Sequence, residues 1–234
     1  MELRVKLFAD GAEKSGMLEI YNNPLISGFT TNPTLMRKAG ITDYKSFSLD
    51  ILSVIKDKPI SLEVFSDEFN EMERQAYEIA SWGENVYVKI PITNTKSESS
   101  IPLVKKLSDA KIKVNVTAMM TVKQVKDAIP ALINSPGSYV SVFAGRIADA
   151  GIDPLPIMKE VMDLLLSHKN VELIWASPRE LFNVVQADLI GCHIITATND
   201  ILKKLPTLGK DLTQFSLETV KMFYRDAQAA GYTI

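Results

Sequence analysis

A (β/α)8 barrel is predicted for this chain on three observations. Short apolar, β-branched runs alternate with segments of helical spacing. There are eight such runs, and they recur roughly every 25–30 residues along the 234. That alternation is the pattern of parallel strands joined by helices. Eight units in this length fit a TIM barrel, which routinely forms a single domain, here spanning 1–234. An open doubly wound sheet is the alternative. Even spacing, the count of eight and the lack of an early Gly-rich turn favour the barrel.

The predicted strands are 4–9, 28–31, 60–65, 86–90, 113–118, 139–145, 171–176 and 193–198. Helical spacing occupies 69–81, 122–133, 157–166 and 179–189 between them. A further C-terminal helix, about 211–231, follows the eighth unit. Its Phe215, Leu217, Phe223 and Tyr224 supply apolar surface that needs a partner, either a barrel end or a neighbouring subunit. Helix starts are marked locally. Asn32-Pro33 and Asp153-Pro154 each place a capping residue before proline at the first helical position. Thr121-Val122-Lys123-Gln124 and Ser177-Pro178-Arg179-Glu180 both match the capping box.

Composition excludes several classes. The chain is 46% hydrophobic and 23% charged, with formal net charge −2, ordinary values for a globular protein. Nothing suggests a nucleic-acid face, and Lys105, Lys106, Lys111 and Lys113 read as a solvated face. No apolar segment reaches the ~18 residues of a membrane span, so no membrane partner is expected. The N-terminal residues lack a signal-peptide layout. Cys192 is the single cysteine; it excludes an internal disulfide, fits a reducing compartment and points to a cytoplasmic location. With His168 and His193 it shows no metal-ligand spacing, so no metal site is expected.

The most informative segment is Val86-Tyr87-Val88-Lys89-Ile90-Pro91. It reads as a buried strand with a lysine near its C-terminal end. Burial in apolar surroundings disfavours the charged form of an amine. A neutral amine is a nucleophile that forms Schiff bases with carbonyl compounds. A snorkelling strand-end lysine is the plain alternative.

In a (β/α)8 barrel, chemistry sits where strands end at the C-terminal face. The polar residues there are Asp10, Asn32, Glu63, Lys89, Asn115, Thr117, Ser141, Arg146, Ser177 and Arg179. Asp10 is either an acid/base or a turn residue before Gly11. Asn32 is a substrate ligand or a helix cap. Strand alternation gives Glu63 the face of Ser61 and Phe65, where it is a proton carrier or an ion pair that merely holds Lys89. Asn115 and Thr117 share a face, as substrate ligands or as an internal hydrogen-bond layer. Ser141, on the face of Tyr139 and Phe143, is a ligand or a small packing residue. Arg146, expected in a loop, and Arg179, expected in a helix's first turn, make a phosphate site or are surface cations. The residues by themselves point to an amine-based carbonyl enzyme acting on a small phosphorylated compound. They do not fix which bond breaks.

The ordered segments Phe8-Ala9-Asp10, Gly28-Phe29-Thr30-Thr31-Asn32-Pro33-Thr34, Tyr87-Val88-Lys89-Ile90-Pro91, Asn115-Val116-Thr117, Ser141 through Arg146-Ile147, Ala176-Ser177-Pro178-Arg179 and 187–192 resemble the transaldolase family. This family comprises class I Schiff-base aldolase barrels of sugar-phosphate metabolism, and the length resembles its short members. The resemblance implies that Lys89 forms the Schiff base with a ketose carbonyl. Asp10 would take the proton from the C4 hydroxyl, and Glu63 and Thr117 would position the water of imine formation and hydrolysis. Asn32, Asn115 and Ser141 would bond substrate hydroxyls, and Arg146 and Arg179 would grip the phosphate, with Ser177 and Phe143 beside them. No cofactor is implied. The implied reaction is that of the pentose phosphate pathway: sedoheptulose 7-phosphate and glyceraldehyde 3-phosphate give erythrose 4-phosphate and fructose 6-phosphate.

Close relatives that release free dihydroxyacetone from fructose 6-phosphate tend to carry glutamine at the position of Glu63 and tyrosine at that of Phe143. Both positions here side with the transferase. A non-catalytic sugar-phosphate-binding barrel is the other alternative. The retention of the lysine, both carboxylates and both arginines speaks against it. Three departures border the site: Gly11-Ala12-Glu13 after the aspartate, Pro178 in place of phenylalanine, and Val142 in place of proline. They bear on sugar preference more than on Schiff-base chemistry. The resemblance further implies a homo-oligomer, a pentamer or decamer.

Overall fold

The computed structural model describes residues 3–234. Eight parallel strands close in sequence order, β1 beside β8, to make the barrel. The strands are β1 (Lys6–Asp10), β2 (Ile26–Thr30), β3 (Ile60–Glu63), β4 (Val86–Pro91), β5 (Val114–Met119), β6 (Ser138–Val142), β7 (Val171–Trp175) and β8 (Ile194–Ala197). Around them run α1 (Lys14–Tyr21), α2 (Pro33–Lys38), α3 (Tyr44–Val54), α4 (Phe69–Ala80), α5 (Ile101–Asp109), α6 (Val122–Ala128), α7 (Ala144–Asp149), α8 (Pro154–Leu165), α9 (Phe182–Leu189), α10 (Asn199–Leu202) and α11 (Leu212–Ala230). The predicted barrel with its additional C-terminal helix is the observed architecture.

Alternation along each strand builds two cores. Outward-facing Val88, Val114, Val116, Val140 and Leu173 are fully buried against the helices. Inside the barrel, Phe8, Tyr139, Ile174, Ala176 and Ile194 form a separate cluster joined by Tyr87 and Phe143. Tyr87 and Tyr139 stack at 4.1 Å, and Phe8 meets Tyr139 edge-on at 5.8 Å. Gly28 makes room for Phe8, because a Cβ there would lie 2.5 Å from the ring.

The largest local departures from expectation have physical reasons. The predicted helix 122–133 ends at Ala128 and tightens into a 3-10 turn at Ile129–Leu132, where Pro130 supplies no backbone N–H. The predicted capping box at Ser177 does not form. Ser177 is left-handed (φ 60°), and Asn183 Oδ1 accepts the backbone N–H groups of Arg179 and Glu180 instead. So α9 begins only at Phe182, and Arg179 lies before it, not in its first turn. Arg146 is in α7 rather than in a loop. β3 ends at Glu63, which leaves Phe65 outside the strand and 59% exposed. The caps at Asn32, Thr121 and Asp153 form as read, with the full capping box at Thr121.

Asp211 caps α11 through Gln214 N–H, and Gly231 (φ 67°) closes its other end. None of its residues is buried. Among the described residues, no helix is long and apolar enough to cross a membrane.

Candidate active site

Lys89 stands on β4 inside the barrel and is 5% exposed. The parallel register places it beside Glu63 on one side and Asn115 on the other. Its Nζ donates to the Thr31 carbonyl at 2.9 Å and lies 3.1 Å from Glu63 Oε2. The expectation of apolar surroundings therefore needs correction: the amine is buried among oxygens. An unpaired buried ammonium would be costly, and the Glu63 carboxylate offsets part of that cost. The same carboxylate is the nearest base to which the ammonium can pass a proton. Glu63 is held from behind, because its backbone carbonyl accepts Tyr44 O–H from α3 at 2.8 Å.

Asp10 ends β1. Its Oδ1 accepts Thr30 O–H at 2.7 Å, and Thr30 Oγ1 lies 2.5 Å from Thr196 Oγ1. Burial raises the Asp10 carboxyl above its ordinary value; the Lys89 charge and the Thr30 hydrogen bond oppose that rise, and Glu63 adds to it. A buried carboxyl raised in this way holds its proton more readily than a solvated one, which suits a group that takes and returns a proton.

Asn115 is fully buried between two serines. Its Nδ2 donates to Ser61 Oγ at 3.0 Å, and Ser141 O–H donates to its Oδ1 at 2.7 Å. The internal hydrogen-bond layer is thus present, with one amide N–H of Asn115 still to be used. Thr117 sits at a β-bulge, where the register with β6 shifts between Val116 and Met119 and Ala118 adopts φ 62°. Its hydroxyl is buried and has no hydrogen-bond partner among the described residues. Buried hydroxyls rarely stay unpaired, so this one is suited to a bound water or substrate atom.

The remaining predicted residues lie on the rim. Asn32 caps α2 by accepting Leu35 N–H at 3.0 Å, so the capping role is real. Phe143 precedes α7 and packs against the interior cluster. The Arg146 guanidinium lies over the Phe143 ring at 5.7 Å. Arg179 forms a fork onto Asp149, with Nε at 2.9 Å from Oδ1 and Nη2 on Oδ2. Gly145 lets α7 lie directly against the Ser177 turn, since a Cβ there would fall 1.6 Å from the Ser177 carbonyl. Both arginines are exposed, and among the described residues no hydrogen bond or ion pair ties them to Lys89.

Sequence reasoning missed Thr30, Thr196, Ser61, Tyr44 and Asp149. Thr196 was visible in principle: it is inward-facing at the end of β8, two residues after Ile194. Cys192 is remote from this chemistry, its thiol pushed up to about 12 by burial. A groove of about 680 Å³ between α1 and α10, lined by Leu7, Ile20, Leu25, Leu202 and Leu208 among others, touches none of the site residues.

Comparison with known proteins places the chain in a family. The family model described as Transaldolase/Fructose-6-phosphate aldolase matches residues 7–234. A protein named "Probable transaldolase" from Thermoanaerobacter sp. (strain X514) is 34% identical over 224 residues, covering 95% of this chain and 98% of the relative. One of the same name from Methanococcus maripaludis (strain C5) is 35% identical over 202 residues, covering 86% and 89%. A third, from Thermoplasma volcanium, is 32% identical over 219 residues, covering 90% and 93%. A solved structure described as native KDPGal superposes with TM-score 0.54 at 11% identity, over 97% of this chain and 98% of that one, and so shares the fold.

Proposed function

The chain belongs to the transaldolase/fructose-6-phosphate aldolase family, and from that premise we propose that it transfers a dihydroxyacetone unit between sugar phosphates through a Schiff base on Lys89. The observation that carries this reading is the buried Lys89–Glu63 pair, 3.1 Å apart, with the Asp10 carboxyl close enough to feel both charges.

In this reading Lys89 passes a proton to Glu63, and its freed lone pair attacks the C2 carbonyl of a ketose phosphate. Loss of water gives the protonated imine. Asp10 takes the proton from the C4 hydroxyl, the C3–C4 bond breaks, and an aldehyde phosphate leaves. The electron pair of the broken bond is held as the enamine, with the iminium nitrogen as its sink, so the step needs no metal or organic cofactor. Addition to a second aldehyde phosphate reverses the sequence, and Asp10 returns its proton. Glu63 and the unpaired Thr117 hydroxyl hold the water that forms and hydrolyses the imine. Asn32, Asn115 and Ser141 bond the sugar hydroxyls. Arg146 and Arg179, with Ser177 and Phe143 beside them, receive the phosphate.

The transferase is preferred over the aldolase because Glu63 is a carboxylate paired with the nucleophile, and a carboxylate carries a proton where an amide cannot. The physiological exchange expected is sedoheptulose 7-phosphate with glyceraldehyde 3-phosphate. The test is a coupled assay with fructose 6-phosphate, with and without erythrose 4-phosphate. Glyceraldehyde 3-phosphate released only with the acceptor present supports the transferase. Release without it makes the protein an aldolase.

The assembly belongs to the same proposal. α11 presents Phe215, Leu217, Val220, Phe223 and Tyr224 to solvent. Most helical stability in proteins comes from packing an apolar face rather than from propensity, and α11 has no buried residue, so a second copy is the natural partner for it, in a pentamer or decamer. A light-scattering mass near 26.0 kDa would remove that idea.

A further inference from the structure

We propose that Asp149 is a positioning residue for phosphate recognition, holding Arg179 in its receiving geometry before substrate arrives; this rests on the assignment of Arg146 and Arg179 to the phosphate. The ion pair is exposed on both sides, 46% at Arg179 and 54% at Asp149. A surface pair of that kind contributes little to stability, so its value lies elsewhere. Arg179 is fixed at both ends. Its backbone N–H is taken by Asn183 Oδ1 at 2.7 Å, and its guanidinium is engaged side-on by Asp149 through Nε and Nη2. A guanidinium has five N–H donors. The fork on Asp149 uses two and leaves the Nη1 edge free for a phosphate oxygen.

The backbone leaves little freedom for another arrangement. Gly145 brings α7 against the Ser177 carbonyl, so Asp149, at the end of that short helix, faces the turn that carries Arg179. Arg146 lies one helical turn before Asp149, and both arginine charges hold the Asp149 carboxyl below its usual range, after the direct hydrogen bond from Arg179. Two guanidinium groups serving one anion repel each other, and the Asp149 carboxylate, which feels both charges, offsets that repulsion. Ordering a long side chain in advance removes that cost from the binding step.

The test compares wild type, Asp149→Asn, Arg179→Met and the double variant, with fructose 6-phosphate as the phosphorylated probe and dihydroxyacetone as the phosphate-free one. Borohydride trapping read by intact mass gives the half-saturation of each, and steady-state transfer gives KM and kcat. Asp149→Asn is expected to raise half-saturation and KM for fructose 6-phosphate about three- to tenfold, the range for one immobilised side chain. kcat should stay within about twofold, trapping of dihydroxyacetone should be unaffected, and Asp149→Glu should recover part of the loss. Arg179→Met should raise KM at least as much, and adding Asp149→Asn to it should cost nothing further. An additive double variant, or a lowered KM in Asp149→Asn, overturns the positioning role; the second would make Asp149 a competitor of the phosphate. Arg179→Met without effect on fructose 6-phosphate overturns the phosphate assignment itself, and with it this role. No adduct with either compound in wild type overturns the Schiff-base reading.

Discussion

Deep inside the barrel, Phe8, Tyr87, Tyr139, Ile174 and Ile194 meet ring to ring and ring to methyl. Two residues further along four of these strands stand Asp10, Lys89, Ser141 and Thr196. One pleat, roughly 7 Å of strand, separates the layers. The lower layer is held by dispersion and aromatic geometry. The upper layer is held by charge and hydrogen bonds: Lys89 with Glu63, Asp10 with Thr30, Asn115 with its two serines. The comparison teaches that rigidity and reactivity are stacked along the strands rather than spread around the ring. The aromatic floor fixes the strands from which the polar layer projects, and it closes the barrel below the amine. Substitutions in the two layers should therefore fail in different ways.

The largest expected effect is on chemistry alone. Lys89→Met should lose turnover by at least about a thousandfold, as expected when a covalent nucleophile is removed, with the fold retained. Full activity in that variant, measured beside its circular dichroism, would end the mechanism. Next comes the floor. Tyr139→Ala should cost about 3–5 kcal/mol of stability through the cavity it leaves, while the folded fraction keeps its KM. Urea unfolding reads the first and kinetics below the transition read the second. An unchanged midpoint would mean that the stack does not carry the barrel.

A smaller and more discriminating effect is expected at Glu63. Glu63→Gln should slow transfer by about a hundredfold, the scale of one proton-transfer group, and leave aldol cleavage of fructose 6-phosphate less affected. Equal rates for variant and wild type in both assays would show that Glu63 only holds Lys89 in place.

The smallest effect on stability concerns Asp10, a carboxyl of the upper layer whose burial works against it. Asp10 is raised above 3.8 in the folded chain, with desolvation the leading cause. Below the unfolded value both states hold the proton, and folding is not penalised. As pH rises through the folded value, the folded state must ionise a buried group, and stability falls. Asp10→Asn should therefore melt above wild type at pH 7, with the gap narrowing toward pH 4, while transfer is lost. A gap that widens on acidification would mean that Lys89 and Thr30 outweigh burial at Asp10.

How much of this could be read in the chain differs between the two layers. The upper layer was legible at Lys89, Glu63 and Asp10, because a charge at the end of an apolar strand is costly unless used or paired. It was not legible at Thr30 and Thr196, whose hydroxyls look like ordinary β-branched strand residues until β1, β2 and β8 meet. Asn115 carried two open readings, and the serines on either side of it favour the internal layer while leaving one N–H for a ligand. The lower layer was legible only as alternation; nothing local says that Tyr87 stacks on Tyr139. At the rim, the Ser-Pro-Arg-Glu pattern misled, since a left-handed Ser177 and the reach of Asn183 delay the helix.

Sequence by itself determined the eight βα units, the caps at Asn32, Thr121 and Asp153, and the strand-end placement of the amine and its carboxylates. Each of these follows from periodicity, capping chemistry or burial cost within a few residues. Tertiary structure alone decided that Glu63 meets Lys89 at 3.1 Å, that Asp149 takes the Arg179 fork, and that α11 is left without a buried face. Those outcomes depend on register, barrel closure and the approach of α7 to the Ser177 turn. They join residues tens of positions apart, where no local preference reaches.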